Sequence, residues 1–475
     1  MGFGSNMAEN RQLSATVLAG VLRILDLLLI LAAGLLSYYT RFGNFNLNSE
    51  TILALALVTL LSVNIFQFNK LYEPTLFIND PFQFKRLFMA LATVAFITLA
   101  IGSVTQTTDA FSRIWLGLWA IYTVVGHVGA RVLFKIRLGR WQAQGLLTRR
   151  IALVGAGPQG QRVAEHLTNN TQPSVTLVGI FDDRRSRVPK SVAGHRIEGG
   201  IEALLQFIRR ERVDEVIVAL PWTAEARLLE ILKELRTAPV DVRLCPEGVA
   251  YQFTSRSFSD LHGLSVLNIY ERPLSNWRQV AKSIEDRVLA VLILIFVLPL
   301  MLVIAIAIKL DSRGPIFFRQ PRYGFNNELF EMYKFRGFKT GLSDPKAEKL
   351  VTKNDPRLSR VGSFLRQTHL DELPQFFNVL KGDMSIVGPR AHGVMAKADG
   401  RLYQEVIAEY FARHRVKPGI TGWAQVNGWT GNTETIEQIE RRVEFDLYYI
   451  EKWSVWLDLK IILMTPFAML SAKSY

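Results

Sequence analysis

Five long apolar runs constrain the fold of this chain more than any other feature of its sequence. They occupy residues 15–38, 51–68, 87–106, 114–134 and 288–308. Each run is close to the roughly 20 residues that a helix needs to cross the hydrocarbon core of a bilayer. The sequence therefore predicts a membrane α/β protein, with a tail of residues 1–14 and a region of four transmembrane helices in residues 15–140 ahead of the larger soluble part.

The distribution of basic residues predicts the orientation of the first four runs. Lysine and arginine cluster after the second and the fourth run, while the opposite loops carry little beyond Arg41 and Arg113. Loops rich in these residues stay in the cytoplasm, so the soluble part that follows is predicted on the cytoplasmic face. Inside the first run, Arg23 and Asp26 are predicted to neutralise each other one helical turn apart.

Composition narrows the choice of partners. The chain has 475 residues, a formal net charge of +14 and 49% apolar residues. A positive surface attracts anions. In a chain this apolar, the expected anions are membrane lipid and the phosphates that lie on the membrane, and no nucleic-acid partner is predicted. Cys245 is the single cysteine, which excludes an intramolecular disulfide and a cysteine metal cage.

An α/β segment is predicted in residues 149–248. A short apolar strand runs into a loop with Gly155, Gly157 and Gly160, and a second strand ends at Asp182. Further strand and helix patterns follow, which predicts a Rossmann-like, doubly wound parallel sheet. The glycines would place a pyrophosphate at a helix N-terminus, and Asp182 would bind a ribose hydroxyl. The segment is long enough for only one mononucleotide half, so a structural or regulatory role is the alternative.

The fifth apolar run follows a predicted linker in residues 249–278 and opens the C-terminal domain of residues 279–475. Basic residues flank both ends of this run, and Pro299 lies near its middle. These features predict a re-entrant hairpin in residues 288–308, which dips into the membrane and returns to the same side. A kinked helix that spans the membrane is the alternative.

The side chains best suited to chemistry are concentrated in the C-terminal domain, around the adjacent carboxylates Asp371 and Glu372. Pro374 suits the start of a helix that ends before Gly382, so the two carboxylates lie at the N-terminal boundary of that helix. Adjacent residues do not share one face of a helix or strand, which permits two separate roles. Arg366 upstream and a glycine loop that ends at Arg390 downstream indicate chemistry on a phosphate.

Further motifs accompany the carboxylate pair. They are Asp311-Ser-Arg-Gly-Pro-Ile-Phe-Phe-Arg-Gln320, Met332-Tyr-Lys-Phe-Arg336, Lys381-Gly-Asp-Met-Ser-Ile-Val-Gly-Pro-Arg390 and Lys417-Pro-Gly-Ile-Thr-Gly-Trp-Ala-Gln-Val-Asn-Gly428. With these motifs the chain resembles the bacterial sugar transferase family, the large polyprenyl-phosphate hexose-1-phosphate transferases that begin exopolysaccharide, capsule or O-antigen repeat units. The resemblance covers nearly the whole chain. It implies a CoA-binding-type middle domain and an α-rich catalytic domain with a re-entrant hairpin.

The resemblance also implies roles for individual residues. Asp371 would attack the sugar-proximal phosphate of a UDP-sugar, form a covalent phosphosugar intermediate and release UMP, while Glu372 would help to hold Mg²⁺. Arg366 and Arg390 match phosphate-contacting arginines of the family. A carboxylate is a weak nucleophile toward a charged diphosphate, so cations must first mask that charge. Further phosphate or headgroup contacts are predicted for Lys334, Arg336 and Arg319.

The resemblance extends to location and partners. It implies a multi-pass protein of the bacterial inner membrane, undecaprenyl phosphate as acceptor, a homodimer, and downstream glycosyltransferases of the polysaccharide pathway. Glucose 1-phosphate is the preferred transferred group, and galactose 1-phosphate is the alternative. Two other functions are weighed: a membrane-anchored nucleotide-sugar dehydratase or epimerase, and a non-catalytic assembly scaffold. The former needs a Tyr-x-x-x-Lys pair beside the glycine loop, but Tyr448 and Lys452 lie far along the chain from it.

Overall fold

The computed structural model describes residues 14–471 apart from internal gaps. The gaps are residues 74–82, 107–110, 170–174, 185–187, 246–258, 262–263, 340–354, 394–396, 399–400, 404–406, 408–409 and 430–434. The predicted tail of residues 1–14 therefore lies almost wholly outside the described residues. The chain forms two compact units, Met1–Thr148 and Arg149–Tyr475, and each is described separately.

The first unit consists of long apolar helices. In the described residues they are α1 (Ala15–Phe42), α2 (Ser49–Phe68), α3 (Phe84–Val104) and α4 (Arg113–Ala143). Each is long and apolar enough to cross a membrane. Large apolar side chains such as Leu28, Leu60 and Phe96 are exposed on their outer surfaces. Helices that are apolar on nearly every face suit a lipid environment.

Polar contacts fix the packing of α1 against α4. The indole nitrogens of Trp115 and Trp119 donate hydrogen bonds to the carbonyls of Gly34 (3.1 Å) and Ile30 (2.9 Å). A Cβ at Gly34 would lie 2.8 Å from the Trp119 ring, so the close approach of the two helices requires glycine there.

The predicted pair of Arg23 and Asp26 is wrong. Fully buried Asp26 instead accepts hydrogen bonds from Arg131 of α4, at 2.7 and 3.2 Å, and Arg23 lies over the ring of Tyr72. A buried carboxylate needs a partner with good geometry, and the guanidinium of the neighbouring helix supplies two donors. Asp26 therefore ties α1 to α4.

The second unit begins with a mixed eight-stranded sheet. Its strands are β1 (Arg149–Val154), β2 (Val175–Phe181), β3 (Ser191–Val192), β4 (His195–Gly199), β5 (Glu215–Val218), β6 (Asp241–Leu244), β7 (Ser259–Leu261) and β8 (Leu264–Tyr270), and its helices are α5 (Pro158–Asn169), α6 (Ile201–Arg210) and α7 (Glu225–Leu235). The strand order is β3-β4-β2-β1-β5-β6-β8-β7. The central strands β4, β2, β1, β5 and β6 run parallel, which agrees with the predicted doubly wound core.

Apolar clusters cover both faces of this sheet. Val163 and Leu167 of α5 pack on one face, while Leu204 of α6 and Leu235 of α7 pack on the other. Every residue of β5 is buried, as expected for a central parallel strand.

The segment predicted as a linker, residues 249–278, also contributes to this sheet. Strand β8 pairs antiparallel with β6, and β7 pairs with β8. The sheet therefore continues beyond residue 248, because edge strands that pair antiparallel carry no parallel α/β signature in the sequence.

One long helix, α8 (Asn276–Asp311), contains the fifth apolar run. Leu294 before Pro299 and Met301 and Ile308 after it are buried within one apolar cluster of the C-terminal domain, whereas Phe296 and Leu310 are exposed. The backbone remains helical through Pro299, so the described residues show no loop at which the chain reverses. Re-entry into the membrane stays a prediction.

A buried polar network holds the first half of α8. Lys282 donates to Asp458 (2.7 Å) and to Asp286 (3.0 Å). Asp286 in turn accepts hydrogen bonds from the hydroxyl of Ser385 (2.7 Å) and the amide of Ile386 (3.0 Å). Helix α8 is thus joined to the strand that precedes the Arg390 loop.

The remaining elements build the C-terminal domain. They are β9 (Phe317–Tyr323), β10 (Leu329–Phe335), α9 (Arg360–Gln367), α10 (Gln375–Lys381), β11 (Ser385–Val387), β12 (Lys397–Ala398), β13 (Arg401–Leu402), β14 (Gly419–Thr421), α11 (Trp423–Val426), α12 (Ile436–Lys452) and α13 (Val455–Ser471). Strands β9 and β10 form an antiparallel hairpin, and β11 pairs with β14 in parallel. The domain is rich in helices, as predicted, but a hairpin carries part of its polar centre.

Candidate active site

A short 3-10 turn, Leu370–Glu372, presents the two adjacent carboxylates between α9 and α10. His369 before it has a left-handed backbone with a φ of 57°, which turns the chain sharply into the pair. Pro374 caps the start of α10, and Gly382 ends that helix with a φ of 91°. The local structure predicted around Pro374 is therefore confirmed.

Glu372 is held by two cations. Its Oε1 accepts hydrogen bonds from Lys334 Nζ (2.9 Å) and Arg390 Nη2 (2.7 Å), and its Oε2 lies 3.3 Å from Arg390 Nη1. Asp371 is less constrained, because Lys334 Nζ lies 4.0 Å from its Oδ2. The two neighbouring carboxylates therefore have different surroundings, as the sequence indicated.

These surroundings shift the pKa values of the two carboxyl groups in opposite directions. Burial raises the pKa of Asp371 above its ordinary value; Lys334 opposes the rise and the Glu372 carboxylate adds to it. Burial would also raise the pKa of Glu372, but Arg390 and Lys334 together hold that pKa well below its ordinary value. Glu372 is thus a fixed anion, and Asp371 is the carboxylate with oxygens left to react.

Buried Asn378 of α10 positions Lys334, and sequence analysis missed it. Its amide nitrogen donates to the carbonyl of Glu331 (2.7 Å), and its oxygen accepts from the amide of Tyr333 (2.9 Å). Asn378 is fully buried, so both bonds are shielded from water and join α10 to the strand that carries Lys334. An asparagine among apolar residues of a short helix was the available signal.

A second set of contacts fixes Arg390. Arg413 donates to the carbonyl of Arg390 (2.8 Å) and forms a buried ion pair with Asp446 (2.6 Å). Gly388 approaches the neighbouring strand so closely that a Cβ would lie 2.6 Å from the carbonyl of Lys417. The glycine loop is therefore shaped by backbone packing, and its arginine is held toward Glu372.

The other predicted phosphate-binding residues lie at different distances from the pair. Arg366 is exposed on the last turn of α9, and its charge lowers the pKa of Asp371. Arg336 is buried and donates to the carbonyls of Ser312 (2.7 Å) and Arg313 (3.1 Å) after α8. Arg319 forms an exposed ion pair with Glu331. The structure thus joins Lys334 and Arg390 to Glu372, brings Arg366 near, and does not bring Arg336 or Arg319 to the pair.

The donor set suits one kind of metal ion. In the described residues no group of three or more histidine, cysteine or acidic side chains could cage a metal. Mg²⁺ does not require such a cage, because it binds through one or two carboxylates and completes its shell with water and substrate phosphate oxygens. Glu372, the predicted ligand, supplies such a carboxylate, and Mg²⁺ binding at this site stays a prediction.

The glycine loop of the sheet domain has the predicted geometry. Gly155, with a φ of 103°, links β1 to α5, and a Cβ at Gly160 would lie 1.8 Å from the carbonyl of Gly155. Asp182 at the end of β2 accepts hydrogen bonds from the amide of Ala156 (2.8 Å) and from the Arg184 guanidinium (2.9 and 3.1 Å). Gly157 lies beside Arg184 as well. Nucleotide binding at this loop stays a prediction.

Comparisons with known proteins identify families and relatives that this chain is similar to. The family model described as bacterial sugar transferase matches residues 277–472, and the model described as CoA-binding domain matches residues 67–246. A UDP-glucose:undecaprenyl-phosphate glucose-1-phosphate transferase of Xanthomonas campestris pv. campestris is 35% identical over 460 residues, which are 96% of this chain and 94% of the relative. A protein of the same description from Escherichia coli (strain K12) is 38% identical over 76% of this chain and 75% of its own. At 30% identity, a galactosyl transferase of Streptococcus agalactiae matches 56% of this chain and 59% of its own.

Proposed function

Because the chain belongs to the bacterial sugar transferase family, we propose that it transfers glucose 1-phosphate from UDP-glucose to undecaprenyl phosphate and releases UMP. This reaction makes the chain a phosphoglycosyl transferase that performs the first membrane step of exopolysaccharide, capsule or O-antigen synthesis. The observation that carries the proposal is the Asp371 carboxylate, which lies beside Lys334 and the Glu372–Arg390 pair with its oxygens uncommitted. The Xanthomonas campestris relative with this activity matches 96% of the chain.

The first half of the reaction forms a bond from Asp371 to the phosphorus that carries the sugar. A carboxylate oxygen of Asp371 attacks the sugar-proximal phosphorus of UDP-glucose. The bond from that phosphorus to the bridging oxygen breaks, and UMP leaves with the electron pair. An acyl phosphate joins Asp371 to glucose, and the anomeric centre is untouched because the broken bond is phosphorus to oxygen.

The second half regenerates the carboxylate. A phosphate oxygen of undecaprenyl phosphate attacks the same phosphorus, and the bond to Asp371 breaks. The product is undecaprenyl diphosphate glucose. Both halves develop negative charge near the pair, where Lys334, Arg390 and Arg366 supply positive charge. When bound, Mg²⁺ held by Glu372 would neutralise phosphate oxygens and make the diphosphate a better electrophile.

The position of the acceptor explains why the catalytic domain carries a membrane helix. The phosphate of undecaprenyl phosphate lies at headgroup level, so the carboxylate pair has to lie there too. Helix α8 contacts the C-terminal domain in both halves and exposes Phe296 and Leu310. A helix that dips into the cytoplasmic leaflet of the inner membrane and returns would keep both halves on the domain's side. The four N-terminal helices would cross the membrane. The protein would form a homodimer, and downstream glycosyltransferases of the pathway would use its product.

The test is UMP release by the full-length protein in detergent, with UDP-glucose, undecaprenyl phosphate and Mg²⁺. The Asp371→Asn variant serves as the inactive form, and Glu444→Gln removes an exposed carboxylate as the matched control. UMP release by wild type and by Glu444→Gln, but not by Asp371→Asn, is expected. Equal release by Asp371→Asn would contradict the mechanism.

The sugar is tested in the same assay. UDP-galactose is the second donor, because a galactosyl transferase is among the relatives. A higher kcat/KM with UDP-galactose would overturn the assignment of glucose and leave the reaction class intact. Absence of UMP release with either donor would favour the alternative that the protein is a non-catalytic assembly scaffold.

A further inference from the structure

Arg322 is a part-buried cation near the carboxylate pair for which neither the sequence motifs nor the family comparisons give a role. It lies on β9, and its Nη1 is 3.5 Å from the carbonyl of Ala391, directly after Arg390. A backbone bridge joins Arg322 to Gly393 of the same loop. Arg322 and Arg390 are therefore neighbours in space although 68 residues separate them in the sequence.

The hairpin register places Arg322 on the same side as Lys334. Lys334 lies opposite Phe318, and Arg322 follows Phe318 by four residues on β9. Side chains alternate along a strand, so residues separated by four share one face. Arg322 and Lys334 thus mark the two ends of one cation line along the hairpin, roughly 14 Å apart along the strands. Arg390 shares Glu372 with Lys334, and its neighbour Ala391 contacts Arg322.

Arg322 has hydrogen-bond capacity that this structure does not use. Its Nη2 donates to the neutral side chain of Gln320 (2.7 Å), and its Nε is buried without a partner. In the part of the chain that the structure describes, no carboxylate forms an ion pair with it, whereas Arg413 pairs with Asp446 and Arg390 with Glu372. A guanidinium shielded from water with an unused donor is costly unless an anion joins it.

The surroundings of Arg322 carry an excess of positive charge. Among the described residues here, the four cations Lys334, Arg390, Arg322 and Arg413 accompany the three carboxylates Asp371, Glu372 and Asp446. Burial and, to a smaller extent, the nearby charge of Arg390 lower the pKa of Arg322 to about 10. At neutral pH Arg322 therefore remains charged, and of these four cations it is the one that forms no ion pair with a described carboxylate.

We propose that Arg322, together with Arg390, binds the nucleotide-side phosphate of the UDP-sugar donor, the phosphate that leaves as UMP. This inference rests on the proposed function. Lys334 and Asp371 lie at the end of the cation line where the sugar-proximal phosphate reacts, so the next phosphate lies toward Arg390 and Arg322. A guanidinium with free donors suits the paired oxygens of a phosphate.

The first test is UMP binding by the full-length protein in nanodiscs, measured by calorimetry. Arg322→Gln removes the charge, and Arg322→Lys keeps the charge but loses the paired donors of the guanidinium. Arg441→Gln, which removes an exposed arginine, is the matched control. Affinity for UMP is expected to fall about 10-fold or more in Arg322→Gln, less in Arg322→Lys, and to stay within about twofold in Arg441→Gln. Because binding needs no turnover, this test separates the inference from the proposed reaction.

Kinetics provides the second test. Arg322→Gln is expected to raise the KM for UDP-glucose and the inhibition constant of UMP about 10-fold, while the KM for undecaprenyl phosphate stays within about twofold. A structural role alone would lower kcat and thermal stability without this selectivity. Unchanged UMP affinity in Arg322→Gln, or in Arg322→Lys where the glutamine variant fails to fold, would overturn the inference. A rise in the KM for undecaprenyl phosphate alone would overturn it too, because it would assign the arginine to the acceptor phosphate.

Discussion

Asp182 and Asp371 both lie near a glycine loop and an arginine, but only one of them remains available for chemistry. Asp182 accepts hydrogen bonds from Ala156 and from the backbone and side chain of Arg184, so both of its oxygens are occupied. Asp371 has one cation at 4.0 Å, and its neighbour Glu372 takes the close contacts. The difference shows that an acid beside a glycine loop indicates chemistry only when another group neutralises the surrounding cations.

The pKa values of Asp182 and Asp371 also shift in opposite directions. Burial would raise the pKa of Asp182, but hydrogen bonds from Arg184 and Ala156 outweigh it and lower that pKa. Burial raises the pKa of Asp371, and Lys334 only partly offsets the rise. A carboxylate stabilised by four hydrogen bonds is a poor nucleophile, whereas one that is desolvated and weakly paired retains its reactivity.

The largest expected effect comes from exchanging Asp371 for Asn. This change removes the nucleophile without removing volume, so kcat for UMP release should fall by at least about 1,000-fold. The melting temperature should stay close to that of wild type, because Asp371 makes no close ion pair. Measurement of both quantities on one preparation distinguishes loss of chemistry from loss of fold.

Removal of magnesium should have the next largest effect. Chelation with EDTA is expected to reduce UMP release about 100-fold, and added Mg²⁺ should restore it, because the phosphate charge would otherwise face the carboxylate with only side-chain cations to offset it. Full activity after exhaustive chelation would remove the ion from the mechanism.

Loss of the Asn378 clamp should affect both stability and rate. In Asn378→Ala the amide of Tyr333 and the carbonyl of Glu331 lose their buried partner, which should cost about 1–3 kcal/mol for each group left unsatisfied. Because the strand also carries Lys334, kcat should fall about tenfold. Asn427→Ala, which removes an exposed amide bonded within its own turn, is the control, and equal losses in both variants would contradict the positioning role.

Asp182→Asn should reduce stability more than kcat, which is the reverse of the effect expected for Asp371→Asn. The charge-assisted hydrogen bonds from Arg184 weaken, so the sheet domain should lose about 1–3 kcal/mol of stability, with kcat changed much less than in Asp371→Asn. Thermal unfolding and UMP release measured together test this contrast. A collapse of kcat with an unchanged melting temperature would show that the two acids are not separated as described.

The smallest effect is expected for Arg319→Gln. Its exposed ion pair with Glu331 is worth little, so kcat/KM for UDP-glucose should fall less than it does in Arg390→Gln. A loss equal to that of Arg390→Gln would favour the prediction made from the sequence, that Arg319 binds a phosphate.

Local patterns explain what could be predicted from the sequence. Apolar runs predicted the long apolar helices, the glycine spacing predicted the β1–α5 turn, and Pro374 with Gly382 predicted the bounds of α10. Each of these depends on residues close together in the chain. The carboxylate pair could be found because its neighbours along the sequence form a family motif.

Contacts between distant residues explain the rest. Asp26 finds its partner at Arg131, and Arg336 donates to the carbonyl of Ser312 at the end of α8. Strand β8 completes the edge of a sheet whose other members lie earlier in the chain. Such pairings depend on how the elements pack, and no periodicity in the sequence specifies them.

The most direct test of the account is whether Asp371 carries the sugar phosphate during the reaction. The full-length protein is incubated with UDP-glucose and Mg²⁺ without undecaprenyl phosphate, quenched, digested and analysed by mass spectrometry. We expect one UMP released per site and a hexose phosphate adduct on the peptide that contains Asp371, lost when undecaprenyl phosphate is added. Turnover with the acceptor but no such adduct, or an adduct on another residue, would contradict it.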